Sequence, residues 1–337
     1  MSASAAMSAA VPPTGPLKVL VVKTSSMGDV VHALAAVTDL LTARPGSTVD
    51  WLVEKPFAAL PGLHPGVRRV LPIAWRKWRK ALGQRATWAL MGEARAALQA
   101  ERYDLVVDLQ GLLLKSVLWG RQAHGPLVGY DWGSAREPLA SLFYDRKVKV
   151  PRTLHAVERS RRLMAAAAGY AMPTRPADFG IRPRATPAWL PPLPAVALIP
   201  CASRPEKLWP EDHWMAVGQR FKALGLTPVV VWGSPDEQAR AERIAAGCGG
   251  VVPPFLSVQD MGEVLGRCRA AVGLDTGFSH LAAAFALPTV GIYCDHEPGL
   301  VGITGPAWVR SLGGRGQRPS LAEVMALVDE QIAGLAI

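Results

Sequence analysis

The apolar residues of this chain fall into short unbroken runs that alternate with stretches of helical spacing. Residues 18–22 read Lys-Val-Leu-Val-Val, the pattern of a strand buried on both faces of a parallel sheet. A tight polar loop, Thr24-Ser25-Ser26-Met27-Gly28, follows, and then Val30, Leu34, Val37 and Leu41 recur at helical spacing. Further strands are predicted at 49–53, 105–109 and 127–129, and helices at 30–42, 85–99, 114–120 and 155–168. After residue 194 the alternation restarts. Strands are predicted at 195–199, 228–231, 251–252, 271–274 and 289–293, and helices at 213–224, 235–246, 258–267, 280–286 and 320–333. Strands alternating with helices argue for an α/β fold with doubly wound parallel sheets. Residues 173–194 hold seven Pro and no helical period, the composition of a linker. The pattern predicts two domains, 17–180 and 195–337, joined by a Pro-rich linker at 181–194 and facing a central cleft. The last helix is free to pack back on the first domain.

The 337 residues suffice for two domains of ordinary size. Residues 1–16 are rich in Ala, Ser and Pro without a charged side chain, which reads as a disordered leader rather than a signal peptide. No apolar run reaches transmembrane length. The four Cys are scattered without metal-type spacing and read as reduced, buried thiols of a cytosolic protein. The net charge of +10 is uneven: residues 1–185 hold 26 Lys and Arg against 13 Asp and Glu, whereas 186–337 hold 11 against 14. The first half is therefore expected to meet an anionic partner, whether nucleic acid, membrane surface or phosphorylated substrate.

Several polar clusters sit where predicted strands end, the edge at which open α/β sheets bind ligands. Asp29 lies at the first such turn and can be a helix cap, an N-terminal anchor or a general base. The segment 75–80, Trp-Arg-Lys-Trp-Arg-Lys, reads either as a solvated helix face or as a site for phosphate, with Trp against sugar or a membrane interface. No recognised nucleic-acid motif accompanies it. Asp108 to Ser116 forms a second strand-to-helix turn in which Gly111 permits a close turn and Lys115 can reach an anion. Arg136 and Glu137 can pair with each other, or Arg136 can offer its fork to an anion. In the second half Ser203, Arg204 and Lys207 precede a helix, where a cation can neutralise a leaving diphosphate. Asp275-Thr276-Gly277 precedes another, whose N–H groups can face an anion. The turn at 232–237 has the same topology, and a carboxylate there suits a ribose diol. No GxGxxG follows the first strand, and no Walker A, nucleophile elbow or HExxH is present.

In order, KTSSMGDVVH (23–32), RKWRK (76–80), DLQGLLLKS (108–116), AREPLASLFY (135–144), HAVER (155–159), EKLWPEDHW (206–214), VVWGSPDE (230–237) and GLDTGFSHLAAA (273–284) together resemble the lipopolysaccharide heptosyltransferases, glycosyltransferase family 9. The resemblance runs from residue 17 to the closing helix. It implies the GT-B architecture, two Rossmann-like domains facing each other. It implies inverting transfer of L-glycero-D-manno-heptose from ADP-heptose to the first 3-deoxy-manno-octulosonic acid (Kdo) of the lipid A inner core. The alternatives are addition of a second heptose, or a non-catalytic basic module that binds anionic lipid.

Carried over residue by residue, the resemblance makes Asp29 the general base and Lys207 a catalytic cation. Ser203 and Lys207 then hold the donor diphosphate, Asp275, Thr276, Gly277 and His280 surround its phosphates and heptose, Glu237 meets the ribose and Leu256 the adenine. Ser25, Ser26, Arg76, Lys77, Arg79, Lys80, Arg136 and His155 fall on the acceptor side. No metal or other cofactor is expected, ADP-heptose being a substrate. A monomer at the cytoplasmic face of the inner membrane is implied, with Kdo-lipid A and the anionic membrane surface as partners and no nucleic acid. The chain departs from the family's usual pattern at Ser203, where Thr is usual, and at 294–298, Cys-Asp-His-Glu-Pro in place of Gly-Pro-Thr-Asp-Pro. The second departure leaves the roles of Asp295 and His296 open.

Overall fold

The computed structural model describes residues 15–335; nearly all of the expected leader lies outside the described residues. The first half runs β1 (Lys18–Val22), α1 (Met27–Ala43), β2 (Thr48–Glu54), α2 (Ala59–Gly62), β3 (Val67–Ile73), α3 (Trp75–Trp78), α4 (Arg85–Gln99), β4 (Leu105–Asp108), α5 (Leu118–Gly120), β5 (Leu127–Tyr130), β6 (Arg146–Val148) and α6 (Ala156–Ala168). Its strands form one sheet in the order β3-β2-β1-β4-β5-β6, with every pairing parallel. Val19, Leu20, Val21 and Val22 are fully buried, as a central strand covered on both faces demands.

The second half runs β7 (Ala195–Ile199), α7 (Glu211–Lys222), β8 (Thr227–Val230), α8 (Pro235–Cys248), α9 (Val258–Leu265), β9 (Ala271–Leu274), α10 (Gly277–Ala284), β10 (Thr289–Tyr293), α11 (Pro298–Val301), β11 (Val309–Gly313) and α12 (Leu321–Ala333). Its parallel sheet has the order β11-β10-β9-β7-β8. The direction of winding reverses between β1 and β4 in one sheet and between β7 and β9 in the other. These are the two switch points where doubly wound sheets hold ligands.

Three strands escape the sequence pattern, and all three are outer ones. β3 carries Arg68, Arg69 and Pro72, which break an apolar run but are tolerated at a sheet edge; the two arginines reach Asp50 and Glu101. β6 is three residues long and β11 is only partly buried. The strand expected at 251–252 is a single bridge between Val251 and Val229. The helix expected at 114–120 is a π-helical turn, Leu113–Val117, followed by α5.

The closing helix does not return to the first half. Val324, Val328 and Ile332 of α12 join the core of the second sheet with Trp209, Trp214 and Phe221, and the Gln331 amide donates to the carbonyls of Ala271 and Pro288. With its apolar face spent there, nothing drives it elsewhere. The halves meet instead through α1 and α10. One continuous apolar core holds Val30, Leu34 and Val37 of α1 together with Met261, Leu265, Leu281 and Ala282. Phe179 and Ile181, which flank the start of the Pro-rich stretch, are also fully buried in it. All four Cys are buried and free. No helix among the described residues is long and apolar enough to cross a membrane.

Candidate active site

The turn after β1 is held from both sides. Lys23, at the end of an otherwise apolar strand, is buried and donates to the Leu109 carbonyl at 3.0 Å. Its Nζ lies 3.5 Å from Asp29 Oδ1. Asp29 Oδ2 accepts the Ser26 N–H at 2.9 Å and the Ser26 hydroxyl at 3.1 Å. Asp29 is thus tied into the start of α1 as a capping residue while also facing a cation. Burial works against its ionisation, but Lys23, the two Ser26 bonds and Arg136 outweigh it, and the carboxyl titrates below its ordinary value.

The neighbouring turn after β4 supports this one. Gln110 Oε1 accepts the N–H groups of Thr24 and Ser25 at 3.0 and 3.1 Å. Gln110 is itself placed by Asp108, fully buried, whose Oδ1 accepts the N–H groups of Gln110 and Gly111. Gly111 sits at φ +70°, where a side chain would be strained. Glu137 does not pair with Arg136; it accepts the Leu113 N–H at 2.7 Å.

Across the cleft, the turns after β7 and β9 form the opposing wall. Lys207 Nζ donates to Asp275 Oδ2 at 2.6 Å and to the Asp275 carbonyl at 3.2 Å. His280 Nε2 stands 3.5 Å from Asp275 Oδ1. Burial opposes the charge on Asp275, yet the bonds from His280 and Lys207 bring its pKa down to about 2. Arg204 pairs with Asp295 at 2.7 Å, which gives Asp295 a place in this wall. His280 Nδ1 meets His32 Nε2 of α1 at 3.1 Å. With Asp275 ionised, His280 presents Nε2–H to it and receives Nε2–H of His32 at Nδ1, and the buried His32 Nδ1 is left without a partner. Burial, followed by His280, His155 and Lys23, holds His32 well below the usual histidine range.

The two walls enclose a cavity of about 840 Å³ that brings together Ser26, Asp29 and Arg136 from one half and Lys207, Asp275, Thr276, Gly277 and His280 from the other. A polar pocket of about 320 Å³ shares Asp29, Ser26 and Arg136 and adds Ser25, Arg76 and Lys115. The large cavity is also lined by Lys23, Arg152 and Arg159. Sequence reasoning missed Lys23 and His32 altogether. A lone Lys closing an apolar strand was the available signal for the first; nothing local marks the second, whose partner is 248 residues away.

Other expected positions lie outside both cavities. Ser203 is exposed beside Arg204. Glu237 Oε2 accepts the Gly233 N–H at 2.8 Å, and Leu256 packs on the core just before α9. Both lie toward β8, the edge strand next to β7. Lys77, Arg79 and Lys80 are exposed on and just after α3. His155 was expected on the acceptor side, but both ring nitrogens are committed elsewhere. Nδ1 accepts the Val157 N–H that opens α6, and Nε2 donates to the Gly302 carbonyl at 3.0 Å, bridging the halves. Among the described residues no group of three or more His, Cys, Asp or Glu is placed to hold a metal ion.

An ionised carboxylate on one wall and a lysine beside a helix N-terminus on the other can accept a proton and neutralise an anionic leaving group across one cleft. Known proteins share the arrangement of the chain. The sequence profile of glycosyltransferase family 9 (heptosyltransferase) matches residues 91–326. Lipopolysaccharide heptosyltransferase 1 of Escherichia coli K12 is 43% identical over 292 residues, 85% of this chain and 90% of the relative. The structure of E. coli heptosyltransferase WaaC with ADP superposes with a TM-score of 0.85 at 39% identity, covering 93% of this chain and 99% of that one. The same enzyme with ADP-2-deoxy-2-fluoro heptose gives a TM-score of 0.82 at 38% identity, covering 94% and 98%. On a profile that spans most of the described residues and an identity this high along nearly the whole length, the chain belongs to glycosyltransferase family 9, the heptosyltransferases.

Proposed function

We propose that this enzyme moves L-glycero-D-manno-heptose from ADP-heptose to the first Kdo of a lipid A–Kdo acceptor, with inversion and without a metal, in assembly of the lipopolysaccharide core. The observation that carries the reading is that the switch points of both sheets open on one cavity, with Asp29 on one wall and Lys207 on the other. The high identity to relatives named for lipopolysaccharide heptose transfer supports the choice of donor and acceptor.

In this reading Asp29 is the general base. It takes the proton of the acceptor hydroxyl as that oxygen bonds to the anomeric carbon, while the bond from that carbon to the diphosphate breaks and ADP leaves with the electron pair. Its lowered pKa keeps it ionised for the task. Lys207 and the N–H groups opening α10 at Thr276 and Gly277 meet the diphosphate charge. Asp275 aims Lys207 and, through His280, is tied to the first half. Ser203 adds a hydroxyl beside the phosphates. The adenosine extends toward the β8 edge, to Glu237 and Leu256. Arg136, Arg76, Ser25 and Ser26 receive the anionic acceptor in the smaller pocket, with Lys77, Arg79 and Lys80 as a basic approach around it.

The test is ADP release from ADP-heptose with a Kdo-bearing lipid A that lacks heptose, in the presence of a chelator. Acceptor-dependent release that is lost in Asp29→Ala, with ADP binding retained, is the expected result. Release only with an acceptor that already carries one heptose would reassign the step to the second transfer. An Asp29→Ala variant with wild-type turnover would remove the base.

A further inference from the structure

Five large apolar side chains stand out from one small region of the first half. Leu114 and Leu118 are 56% and 42% exposed, and Leu139, Leu142 and Phe143 are 55%, 61% and 45% exposed. Leu114 lies on the π-helical turn Leu113–Val117 and Leu118, four residues on, opens α5. The other three lie exposed on the 3₁₀ segment Pro138–Phe143, in which Ala140 and Ser141 are buried. These two segments pack together. The Leu113 N–H donates to Glu137, and the Ser116 hydroxyl and Tyr144 hydroxyl both donate to Asp108 Oδ2 at 2.8 Å. The ridge is therefore built, not frayed. A cooperative set of hydrogen bonds runs from it through Asp108 and Gln110 to the loop that carries Asp29.

The ridge has a basic flank. Trp75 and Trp78 of α3 lie with their rings 6.4 and 5.5 Å from Trp119 of α5. That contact sets α3, with exposed Arg76, Lys77, Arg79 and Lys80 on and just after it, against α5, which Leu118 opens. At the near end Lys115 and Arg136 line the small pocket that also holds Asp29. Clustered exposed apolar groups mark an interaction site, and the rim selects its partner by charge. A second copy of this chain meeting the ridge across a two-fold axis would bring basic flank against basic flank. An anionic bilayer satisfies both features: the leucines and Phe143 enter the acyl boundary while the cations sit among the headgroups.

We propose that this ridge, flanked by α3, docks the enzyme on an anionic phospholipid bilayer and holds the small pocket at headgroup level. The proposal rests on the reading of that pocket as the acceptor's, and deepens it by assigning the surface that presents the acceptor. Each cation near the surface adds about fivefold to partitioning at low salt, so binding falls as salt screens the flank.

Flotation of the full chain with vesicles tests it. The chain is expected to float with phosphatidylcholine vesicles containing phosphatidylglycerol at low salt, and weakly with phosphatidylcholine alone. Leu142→Glu combined with Phe143→Glu is expected to weaken partitioning by about tenfold or more. ADP release with a soluble, deacylated Kdo acceptor is expected to stay at the wild-type level. Leu139→Gln, a milder change at an exposed position, is expected to weaken flotation by a smaller factor. A wild-type chain that stays with the aqueous phase, or variants that float as it does, would overturn the proposal. So would a dimer dispersed by the same substitutions in a chain that ignores vesicles. Absent ADP release with the soluble acceptor would instead strike the reaction assigned above, because that measurement involves no bilayer.

Discussion

The ammonium of Lys23 lies 3.5 Å from Asp29 Oδ1, and the same ammonium donates to the Leu109 carbonyl at 3.0 Å. One buried cation thus ties the end of β1 to the turn after β4 and holds the proposed base ionised. Replacing it with a neutral chain of similar length, Lys23→Met, removes the charge that lowers the Asp29 pKa and leaves the burial that raises it. The carboxyl then protonates at higher pH, so the acid limb of the pH–rate profile moves to higher pH. The buried Leu109 carbonyl also loses a donor, at a cost of about 1–3 kcal/mol in stability. Initial rates across the acid range, with urea unfolding alongside, check both parts. An unmoved acid limb would show that Ser26 and Arg136 set the Asp29 pKa.

Lys207 and Asp275 form the corresponding pair on the other wall, 2.6 Å apart. Lys207→Ala removes the cation assigned to the leaving diphosphate, and a loss of about 10²–10³ in turnover is expected. It also strips Asp275 of one of its two partners. Asp275→Asn keeps the shape but loses the charge that fixes Lys207 and the His280 tautomer. It is expected to reduce turnover by about tenfold or more, and the loss should be far from additive with Lys207→Ala because the two act as one unit. Single and double variants measured for kcat and for ADP affinity separate the two roles.

Much of this was legible in the sequence because the relevant physics is local. Residues 19–22 can only be a doubly covered strand, and a polar loop followed by helical spacing puts Asp29 at the sheet's ligand edge whatever the rest of the chain does. The same holds for Asp275 after β9. Edge strand β3 was not legible, because Arg68 and Arg69 look like loop residues until Asp50 and Glu101 are beside them. Nor was the burial of Lys23, which depends on a carbonyl 86 residues away. The exposed ridge was hidden for the opposite reason: nothing local separates leucines at 114, 118, 139 and 142 from core leucines, and only packing shows that the core leaves them out.

His64, between α2 and β3, is buried with both nitrogens engaged. Nδ1 accepts the Gly66 N–H at 3.0 Å, so Nε2 carries the proton and meets Thr38 Oγ1 at 3.0 Å. Burial lowers its pKa from 6.5 to about 4, Arg184 acting in the same sense and Asp178 against it. Between these values the unfolded chain binds a proton that the native one refuses, so stability rises with pH. The contribution is complete above pH 6.5 and is lost as pH falls toward about 4, on the order of 3 kcal/mol in total. His32, also held below the ordinary range, adds in the same direction. Urea midpoints for the wild type and His64→Gln through the acid range check this: the variant is expected to show the shallower dependence.

Gly28 in the first turn of α1 and Gly277 in the first turn of α10 let the two helices approach closely, but they face different neighbours. A Cβ on Gly28 would stand 2.9 Å from His280 Cδ2, and one on Gly277 would crowd Met27 Cγ and Sδ and stand 2.6 Å from Met27 Cβ. The Met27 thioether can turn aside, but its Cβ is fixed by the backbone that opens α1, while the His280 ring is held between His32 and Asp275 by side-chain contacts. Gly277→Ala, which needs α1 and α10 to part, is therefore the costlier change, and Gly28→Ala costs about 1–3 kcal/mol by overpacking. The displaced ring also disturbs Asp275, so ADP affinity is expected to fall with stability. Gly277→Ala is expected to cost more, because no rotamer of Met27 moves its Cβ. Thermal unfolding of the two variants gives the comparison. A midpoint for Gly277→Ala at or above that of Gly28→Ala would mean that the backbone opening α1 yields and that the His280 ring is the more rigid contact between the halves.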